Sequence, residues 1–136
     1  MRAMVYHGNK DLRLEEVPDP TPEPGEAVLR IRASGLCGSD LRPYRTPKEQ
    51  KGEPANLKVG GHEPCGVIAE VGQGVANVKV GDRVMMHHYS GCGKCKMCLA
   101  GYTQMCVVHH EGYGYTQNGG HADYLLAPAS TCIPLP

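Results

Sequence analysis

Phenylalanine and tryptophan are absent from this chain of 136 residues, and its seven tyrosines are the only large aromatic residues. An apolar core therefore has to be built mainly from valine, leucine, isoleucine, methionine and alanine. A net charge is also lacking, because 14 lysine and arginine residues balance 14 aspartate and glutamate residues. Proteins that hold nucleic acid present a basic patch to its phosphates, so this neutral chain predicts no nucleic-acid partner.

Long apolar runs and a secretory signal are also missing. No segment approaches the roughly 20 apolar residues of a membrane span, so we expect no membrane association. The N-terminal sequence MRAMVYHGNK lacks the apolar stretch of a signal peptide. Together these features predict a cytoplasmic protein, in which cysteine thiols stay reduced. The length is that of one domain, which we place at residues 1–136.

Short apolar runs bounded by turn residues dominate the pattern. The clearest is Glu26–Ala33, in which apolar and charged residues alternate with the period of a half-buried strand. No stretch keeps a helical period over about ten residues, so the pattern predicts an all-β fold, either a barrel or a sandwich. The predicted strands are Arg2–His7, Leu12–Val17, Glu26–Ala33, Gly66–Val71, Arg83–Met86 and Ala122–Ala127.

The segments between the predicted strands have the composition of turns and loops. Gly8-Asn9 predicts the turn of a first hairpin. The prolines of Pro18–Gly25 exclude helix and central strand from that segment. Residues 38–44 suit a short helix, and the polar segment Tyr44–Lys58 suits a surface loop.

Four cysteines lie in one short loop with the pattern C-x2-C-x2-C-x7-C, namely Cys92, Cys95, Cys98 and Cys106. Thiolates are soft, charged ligands, and four of them can close a tetrahedron around zinc. The loop has little to bury in an apolar core, so a metal would stabilise it. Two disulfides, an iron–sulfur cluster or no metal are the alternatives. The C-x2-C spacing suits a metal better than disulfides, and the last gap departs from the ferredoxin pattern.

Cys37 and His62 form a second, more dispersed signal. Taken singly, a cysteine is more often a small buried apolar residue, and a histidine is more often a hydrogen-bonded structural residue. Both, however, stand at the end of a predicted strand, beside glycines that allow a sharp turn and before a short polar residue. A thiolate and an imidazole together are half of an open zinc site of the catalytic type.

Five motifs occur in order along the whole chain: GLCGSD, GGHEP with GVIAEVG, GDRV, the CGKCKMC loop with its fourth cysteine, and GGHADYLLAP. In this order they resemble the N-terminal catalytic domain of the zinc-dependent medium-chain alcohol dehydrogenases. The resemblance implies a GroES-like, partly open β-barrel with short helices and a zinc-binding loop lobe at about residues 87–110. The C-G-S-D form is most similar to the polyol, threonine and formaldehyde dehydrogenase branch.

The resemblance also implies a role for each matching residue. Cys37 and His62 would ligate a catalytic zinc, and Glu63 would be a nearby carboxylate or a ligand that exchanges with water. Ser39 would relay the proton of the substrate hydroxyl, and Asp40 would orient His62 or the Cys37 loop. A structural zinc would be held by Cys92, Cys95, Cys98 and Cys106. The implied reaction oxidises a small alcohol or polyol to a carbonyl compound, with hydride transfer to NAD or NADP.

The sequence departs from the family pattern in two respects, and the first is its end at Pro136. Family members continue into a Rossmann domain that binds NAD(P), and the third protein ligand of the catalytic zinc also lies beyond this point. Only Gly72-Gln73-Gly74 and Gly112-Tyr113-Gly114 approach a dinucleotide-binding G-x-G-x-x-G, and we interpret both as turns. We therefore expect the catalytic portion of a longer enzyme, inactive by itself and homo-oligomeric when full length.

Arg42 is the second departure. Family members often have a histidine five residues after the first zinc ligand, which completes the proton relay, and Arg42 stands at that position. A guanidinium cannot shuttle a proton as an imidazole does, so we expect Arg42 to contact a cofactor phosphate instead. The alternative to an enzyme is a stand-alone, zinc-stabilised β-barrel that acts as a binding or scaffold module. That alternative would require only the loop cysteines.

The other cysteines, histidines and methionines carry weaker signals. Cys65 and Cys132 have no partner at ligand spacing, so we expect buried, inert thiols. Met85-Met86 is more typical of core than of a metal site, and His121 is a candidate to face the substrate. Two pairs are expected to be polar loop residues, with lining of a substrate pocket as the alternative: His87-His88 and His109-His110.

Overall fold

The computed structural model describes residues 1–47 and 59–136. These residues form short strands and very short helices, which confirms the all-β prediction. Most of the predicted surface loop Tyr44–Lys58 lies outside the described residues. The elements are β1 (Arg2–Gly8), β2 (Asp11–Glu16), β3 (Glu26–Ser34), α1 (Leu41–Arg45), β4 (Pro64–Val71), β5 (Arg83–Met86), β6 (Tyr89–Gly91), α2 (Lys96–Leu99), β7 (His110–Gly112), β8 (Tyr124–Pro128) and β9 (Cys132–Pro134).

Five strands form the central antiparallel sheet, in the order β8-β3-β4-β5-β9. Two isolated bridges, Ala3 with Ala122 and Val5 with Val59, are among the contacts that join the β1-β2 hairpin to other segments. A third, two-stranded sheet pairs β6 with β7. Over residues 1–47 and 59–136 these sheets do not close into a complete barrel, which agrees with the predicted partly open GroES-like architecture.

The main core is aliphatic, as the absence of phenylalanine and tryptophan requires. Leu29 of β3, Ile68 of β4, Val84 of β5 and Leu125 of β8 are all at most 2% exposed. Tyr113 is the aromatic member of the same cluster. Burying each of the four aliphatic side chains contributes about 1.5–3 kcal/mol, so the four central strands are held mainly by this contact.

The prediction that Met85-Met86 belongs to the core is wrong for Met85. Met86 is 3% exposed, whereas Met85 is 43% exposed. Successive side chains of a strand point to opposite faces, so β5 can bury only one of the two on its core side. Cys132 pairs with Met86 across the β5-β9 ladder and is buried as predicted. Burial raises the pKa of the Cys132 thiol to about 11, which keeps it protonated.

The first hairpin has the predicted pairing of β1 with β2, but its turn is shifted by one residue. Gly8 pairs with Asp11, and the turn residues are Asn9 and Lys10, with φ of 52° and 64°. A two-residue turn with both central residues in the left-handed region matches the twist of the flanking strands. The ladder slips between Tyr6 and Gly8, and this irregularity moves the glycine out of the turn and into the end of β1.

The pairing of β3 with β4 determines where the loops of interest meet. The ladder runs as far as Ser34 opposite Pro64, the last residue of β3 and the first of β4. The chain that leaves β3 and the chain that enters β4 therefore lie at the same edge of the sheet. The amide of Gly35 donates to the carbonyl oxygen of Glu63 at 3.1 Å, which extends the pairing beyond the ladder.

Several short elements were absent from the sequence prediction. The strands β6, β7 and β9 have three residues each and α2 has four, which is too short for a periodic pattern to emerge. Residues 38–44 are helical as predicted, with a 3₁₀ turn at Gly38–Asp40 that leads into α1. None of the helices in the described ranges has the length and apolar character that crossing a bilayer requires.

Candidate functional site

Cys37 and His62 meet at the edge of the sheet where β3 ends and β4 begins. The Sγ of Cys37, a ring nitrogen of His62 and a carboxylate oxygen of Glu63 all lie within 4.8 Å of one another. These three atoms are close enough to bind a single ion. A sulfur, a nitrogen and an oxygen together suit zinc in a site that keeps one position open.

The three candidate ligands differ in their access to solvent. His62 is only 4% exposed, Cys37 is half-buried and Glu63 is exposed. The site therefore has a buried wall formed by His62 and a side that opens to solvent at Glu63. An open side is what a site that admits a small molecule needs.

The carboxylate of Asp40 faces both Cys37 and His62. Asp40 is 6% exposed, and its Oδ2 accepts a hydrogen bond from the Cys37 amide at 2.8 Å. Its Oδ1 lies 3.2 Å from Nδ1 of His62 but out of line for a hydrogen bond, so Nδ1 is buried without a hydrogen-bond partner. The sequence left open whether Asp40 serves His62 or the Cys37 loop, and in the structure it lies against both.

Close backbone packing holds the turn that carries His62. Gly119 lies against this turn, and its amide donates to the carbonyl oxygen of Val59 at 2.8 Å. A Cβ at Gly119 would overlap the carbonyl oxygens of Gly60 and Gly61. These are backbone atoms that cannot swing away as a flexible side chain does, so this position requires glycine.

We expect Gly119→Ala to lower the free energy of unfolding by about 1–3 kcal/mol, the usual cost of overpacking a filled site. Urea denaturation measures this change. Gly38→Ala is the matched control, because no heavy atom lies within 4 Å of a Cβ built there. It should change the free energy of unfolding by less than about 0.5 kcal/mol. Equal shifts of the urea midpoint in the two variants would contradict the requirement for glycine at position 119.

A cavity of about 260 Å³ adjoins His62 and Glu63. His88 is part of its wall, and the His88 ring centroid lies 5.2 Å from that of His62. Burial lowers the pKa of His88, and the neighbouring His62 lowers it further, so the His88 imidazole is neutral at pH 7. A second cavity of about 570 Å³ is larger, but Cys37, His62 and Glu63 are not part of its lining. The smaller cavity is therefore the one that serves the candidate site.

Cys65 also lines the smaller cavity, and the prediction that it is buried is wrong. It is half-buried, because side chains alternate between the two faces of β4 and Cys65 pairs with the exposed Met85 on the more open face. His87 lines the same cavity and contacts Thr103 Oγ1 at 3.2 Å, so the pair His87-His88 follows the pocket-lining alternative. His109 instead lies 3.7 Å from Glu111, outside this cavity.

The four loop cysteines form a second cluster, in the segment between β6 and β7. Their Sγ atoms all lie within 4.8 Å of one another, with 3.6 Å between Cys95 and Cys98 and 3.9 Å between Cys95 and Cys106. Zinc–sulfur bonds of about 2.3 Å in a tetrahedron place the sulfurs about 3.8 Å apart. A disulfide would require about 2.05 Å. The separations therefore favour one four-coordinate metal over two disulfides.

Local structure explains how this short loop gathers its sulfurs. The amide of Leu99 donates to the carbonyl oxygen of Cys95 at 2.9 Å, which places Cys95 and Cys98, three residues apart in the chain, within one helical turn. The Sγ of Cys106 accepts hydrogen bonds from the amides of Cys92 and His109, each at 3.4 Å. These bonds lower the pKa of the Cys106 thiol to about 5.

The Cys98 thiol has the opposite tendency. Burial, followed by hydrogen bonds to the neighbouring cysteine side chains, raises its pKa to about 12. The cluster thus contains one thiol that ionises readily and one that resists ionisation. Bringing all four into the thiolate form requires a cation in their midst, which is the chemistry of a divalent metal site.

Tyr115 belongs to the candidate site although no sequence pattern marked it. Its hydroxyl oxygen lies 3.1 Å from Ser39 Oγ, and Ser39 Oγ lies 3.3 Å from Nε2 of His62. The contact joins residues 76 positions apart, so only the fold brings them together. Sequence reasoning had no periodic or motif signal that could have found it.

Two other candidates lie at the margin of the site. Arg42 is exposed on α1, one turn beyond Cys37. The His121 ring nitrogen Nε2 lies 3.3 Å from the carbonyl oxygen of Gly35, and its amide donates to Gly60 at 3.0 Å. His121 thus packs against the loops that present Cys37 and His62.

Comparison with known proteins adds a family match to this geometry. The Alcohol dehydrogenase GroES-like domain matches residues 23–136. The chain is 39% identical to the zinc-type alcohol dehydrogenase-like protein YphC of Escherichia coli, of which it covers 40%, and that alignment includes all of this chain. It is 42% identical to an alcohol dehydrogenase of Moraxella, with 96% of this chain and 38% of that protein aligned.

A solved structure agrees over the whole chain. The alcohol dehydrogenase rspB of Escherichia coli, in complex with NADH, superposes with a TM-score of 0.85 at 31% identity. The match covers all of this chain and 38% of that protein. The chain therefore spans about 40% of the length of the curated relatives that it matches.

Proposed function

Because the chain belongs to the alcohol dehydrogenase GroES-like domain family, we propose that it is the catalytic-domain portion of a zinc-dependent dehydrogenase. The reaction would oxidise a small alcohol or polyol to a carbonyl compound and pass the hydride to NAD or NADP. The observation that carries this proposal is the convergence of Cys37, His62 and Glu63 within 4.8 Å, at an edge that opens to solvent.

Two zinc sites with different tasks follow from the two donor sets. The four loop cysteines would hold a structural zinc, since their sulfurs leave no position open. Cys37, His62 and Glu63 would hold the catalytic zinc. When bound there, zinc would supply a Lewis acid that lowers the pKa of a hydroxyl group bound to it towards neutrality, which is the activation that alcohol oxidation needs.

The residues around the catalytic site would orient the ligands and take the proton. Asp40 faces Nδ1 of His62, which favours the tautomer that leaves Nε2 free to bind the metal. Ser39, close to Nε2, would accept the proton of the substrate hydroxyl. The exposed Arg42 would contact a phosphate of the cofactor. His88 and the cavity beside His62 would receive the substrate.

The nicotinamide cofactor would be held by residues outside this chain. The chain spans about 40% of its curated relatives, and neither of its two G-x-G segments leads into a helix: residues 72–74 lie in a turn, and residues 112–114 run from the end of β7 into a turn. The glycine-rich loop that cradles a dinucleotide would therefore belong to a further domain. We also propose that the complete protein is a cytoplasmic homo-oligomer.

A comparison of two proteins tests this proposal: the isolated chain of 136 residues and the natural protein that contains it. The natural protein should reduce NAD or NADP in the presence of alcohols or polyols, lose that activity to a chelator and regain it with zinc. The isolated chain should produce no reduced cofactor. Failure of the natural protein with every alcohol would refute the enzyme and favour a zinc-stabilised scaffold module. Activity of the isolated chain would refute the division between two domains.

A further inference from the structure

Ser39 needs a route by which a proton can leave the site. In the proposed reaction its hydroxyl takes the proton of the substrate, and a hydroxyl group can do so only if it passes its own proton on. The residue five positions after Cys37 is Arg42, whose guanidinium is a permanent donor and cannot accept a proton. Ser39 is itself exposed, and a group that touches it can lead its proton on to water.

Tyr115 is that group. Its hydroxyl oxygen lies 3.1 Å from Ser39 Oγ, within hydrogen-bond distance, and either oxygen can act as donor. Ser39 Oγ contacts Nε2 of His62 on its other side, at 3.3 Å. The order of groups is thus imidazole, serine hydroxyl and phenol, and it runs from the buried wall of the site outward. Tyr115 is 36% exposed, so the phenol reaches water.

Backbone contacts fix the position of Tyr115. The carbonyl oxygen of Gly112 accepts hydrogen bonds from the amides of Tyr115, Thr116 and Gln117, at 3.0, 2.7 and 3.0 Å. Within the same turn, Gly114 packs against the backbone of Gly61, beside His62. The turn that carries Tyr115 and the turn that carries His62 are therefore in direct backbone contact.

Aromatic contacts fix the ring itself. The Tyr115 ring lies over the His62 imidazole, with centroids 4.7 Å apart and an interplanar angle of 32°. On another side it is nearly parallel to Tyr89, at 6.3 Å and 7°. Since both ring contacts restrict its rotation, the phenol oxygen is held near Ser39.

We propose that Tyr115 positions the Ser39 hydroxyl and carries the substrate proton from Ser39 to water. This inference rests on the proposed function. As the substrate O–H bond breaks, its proton forms a new bond to Ser39 Oγ, and the proton of Ser39 moves to the Tyr115 oxygen. The proton of Tyr115 passes to water. Each hydroxyl gains one proton and loses one, so the phenol stays neutral, while the hydride passes from carbon to nicotinamide.

Tyr115→Phe in the natural protein tests the route, because it removes one oxygen and keeps the ring. The single-turnover rate of alcohol oxidation should fall by roughly 10- to 100-fold, at or below the lower end of what acid–base groups contribute. The KM for the alcohol should change less than about twofold, since binding contacts persist. Added 2-methylimidazole, a soluble proton carrier, should restore the rate of the variant in proportion to its concentration and leave the wild type unchanged.

Two further measurements separate proton transfer from a structural effect. A pH indicator should show slower proton release in Tyr115→Phe when the alcohol binds, while zinc content stays at the wild-type level. Tyr89→Phe is the matched control: the hydroxyl of a ring stacked on Tyr115 is removed, and oxidation and proton release should stay unchanged.

The outcomes distinguish the two proposals. An active wild type with an equally active Tyr115→Phe variant would overturn the route and leave the dehydrogenase proposal standing. A slow variant that 2-methylimidazole does not restore would show that Tyr115 is structural only, and would also overturn the route. A wild type that oxidises no alcohol would overturn both.

Discussion

In the dehydrogenase proposed above, Cys37→Ala should abolish alcohol oxidation while the fold and the loop metal are retained. The substitution removes one of three donors within 4.8 Å, and the remaining imidazole and carboxylate form a weaker site for zinc. Lewis-acid stabilisation contributes several kcal/mol to the transition state, and each 1.4 kcal/mol is worth about tenfold in rate. We therefore expect kcat/KM to fall by at least roughly 1000-fold. Steady-state kinetics and zinc analysis of the same preparation measure the two effects.

Cys132→Ala provides the matched control for this loss. Cys132 is a buried thiol on β9, outside both donor clusters. The substitution should lower the free energy of unfolding slightly, because it removes one small buried group and leaves a small cavity. It should leave the zinc content unchanged. A Cys37→Ala protein with full zinc content and wild-type kcat/KM would exclude Cys37 as a ligand of the catalytic metal.

Cys95→Ala should release the loop metal and unfold the segment between β6 and β7. A single change in a residue that supports a metal ligand weakens binding by roughly 10- to 100-fold, so the loss of a ligand should exceed about 100-fold. The loop has no apolar core to replace the metal, because Leu99, Met105 and Val107 are all more than half exposed. Limited proteolysis should therefore cut the Cys95→Ala variant within this loop, at sites protected in the wild type.

The central sheet should stay folded in the Cys95→Ala variant. The loop is joined to the sheets at β6 and β7, and the core of β3, β4, β5 and β8 contains none of the four loop cysteines. Circular dichroism of Cys95→Ala should consequently show that most strand structure persists. Retention of a full equivalent of loop zinc by this variant would refute the four-sulfur site, as would unchanged protease resistance of the loop.

Much of the fold was predictable because its strands obey local rules. Glu26–Ala33 alternates apolar and charged residues, and β3 spans Glu26–Ser34. Arg83–Met86 was predicted with the bounds that the structure has. Where the prediction failed, the deciding interaction was not local. The turn of the first hairpin lies one residue later than predicted, because the ladder of β1 and β2 is irregular between Tyr6 and Gly8. Met85 is exposed because the adjacent Met86 occupies the core face of β5.

The candidate site shows the same division between local pattern and fold. Cys37 and His62 could be proposed from sequence, because each stands at the end of a predicted strand beside glycines and a thiolate with an imidazole is half of an open zinc site. Glu63 was implied only by the resemblance to the family. The mutual distances of these donors could not be predicted, because they depend on the register that places Ser34 opposite Pro64. Tyr115 was missed entirely. An exposed tyrosine in a turn is unremarkable until the fold brings its hydroxyl to Ser39.

The antiparallel ladder of β3 and β4 has a consequence for how this protein can vary. Cys37 follows β3 and His62 precedes β4, and the pairing of these two strands brings the sulfur and the imidazole to the same edge of the sheet. The meeting of the two donors is therefore set by the register of β3 and β4 and not by the number of residues between Cys37 and His62. A substitution that shifts this register by one residue would separate the sulfur from the imidazole even if neither donor were changed.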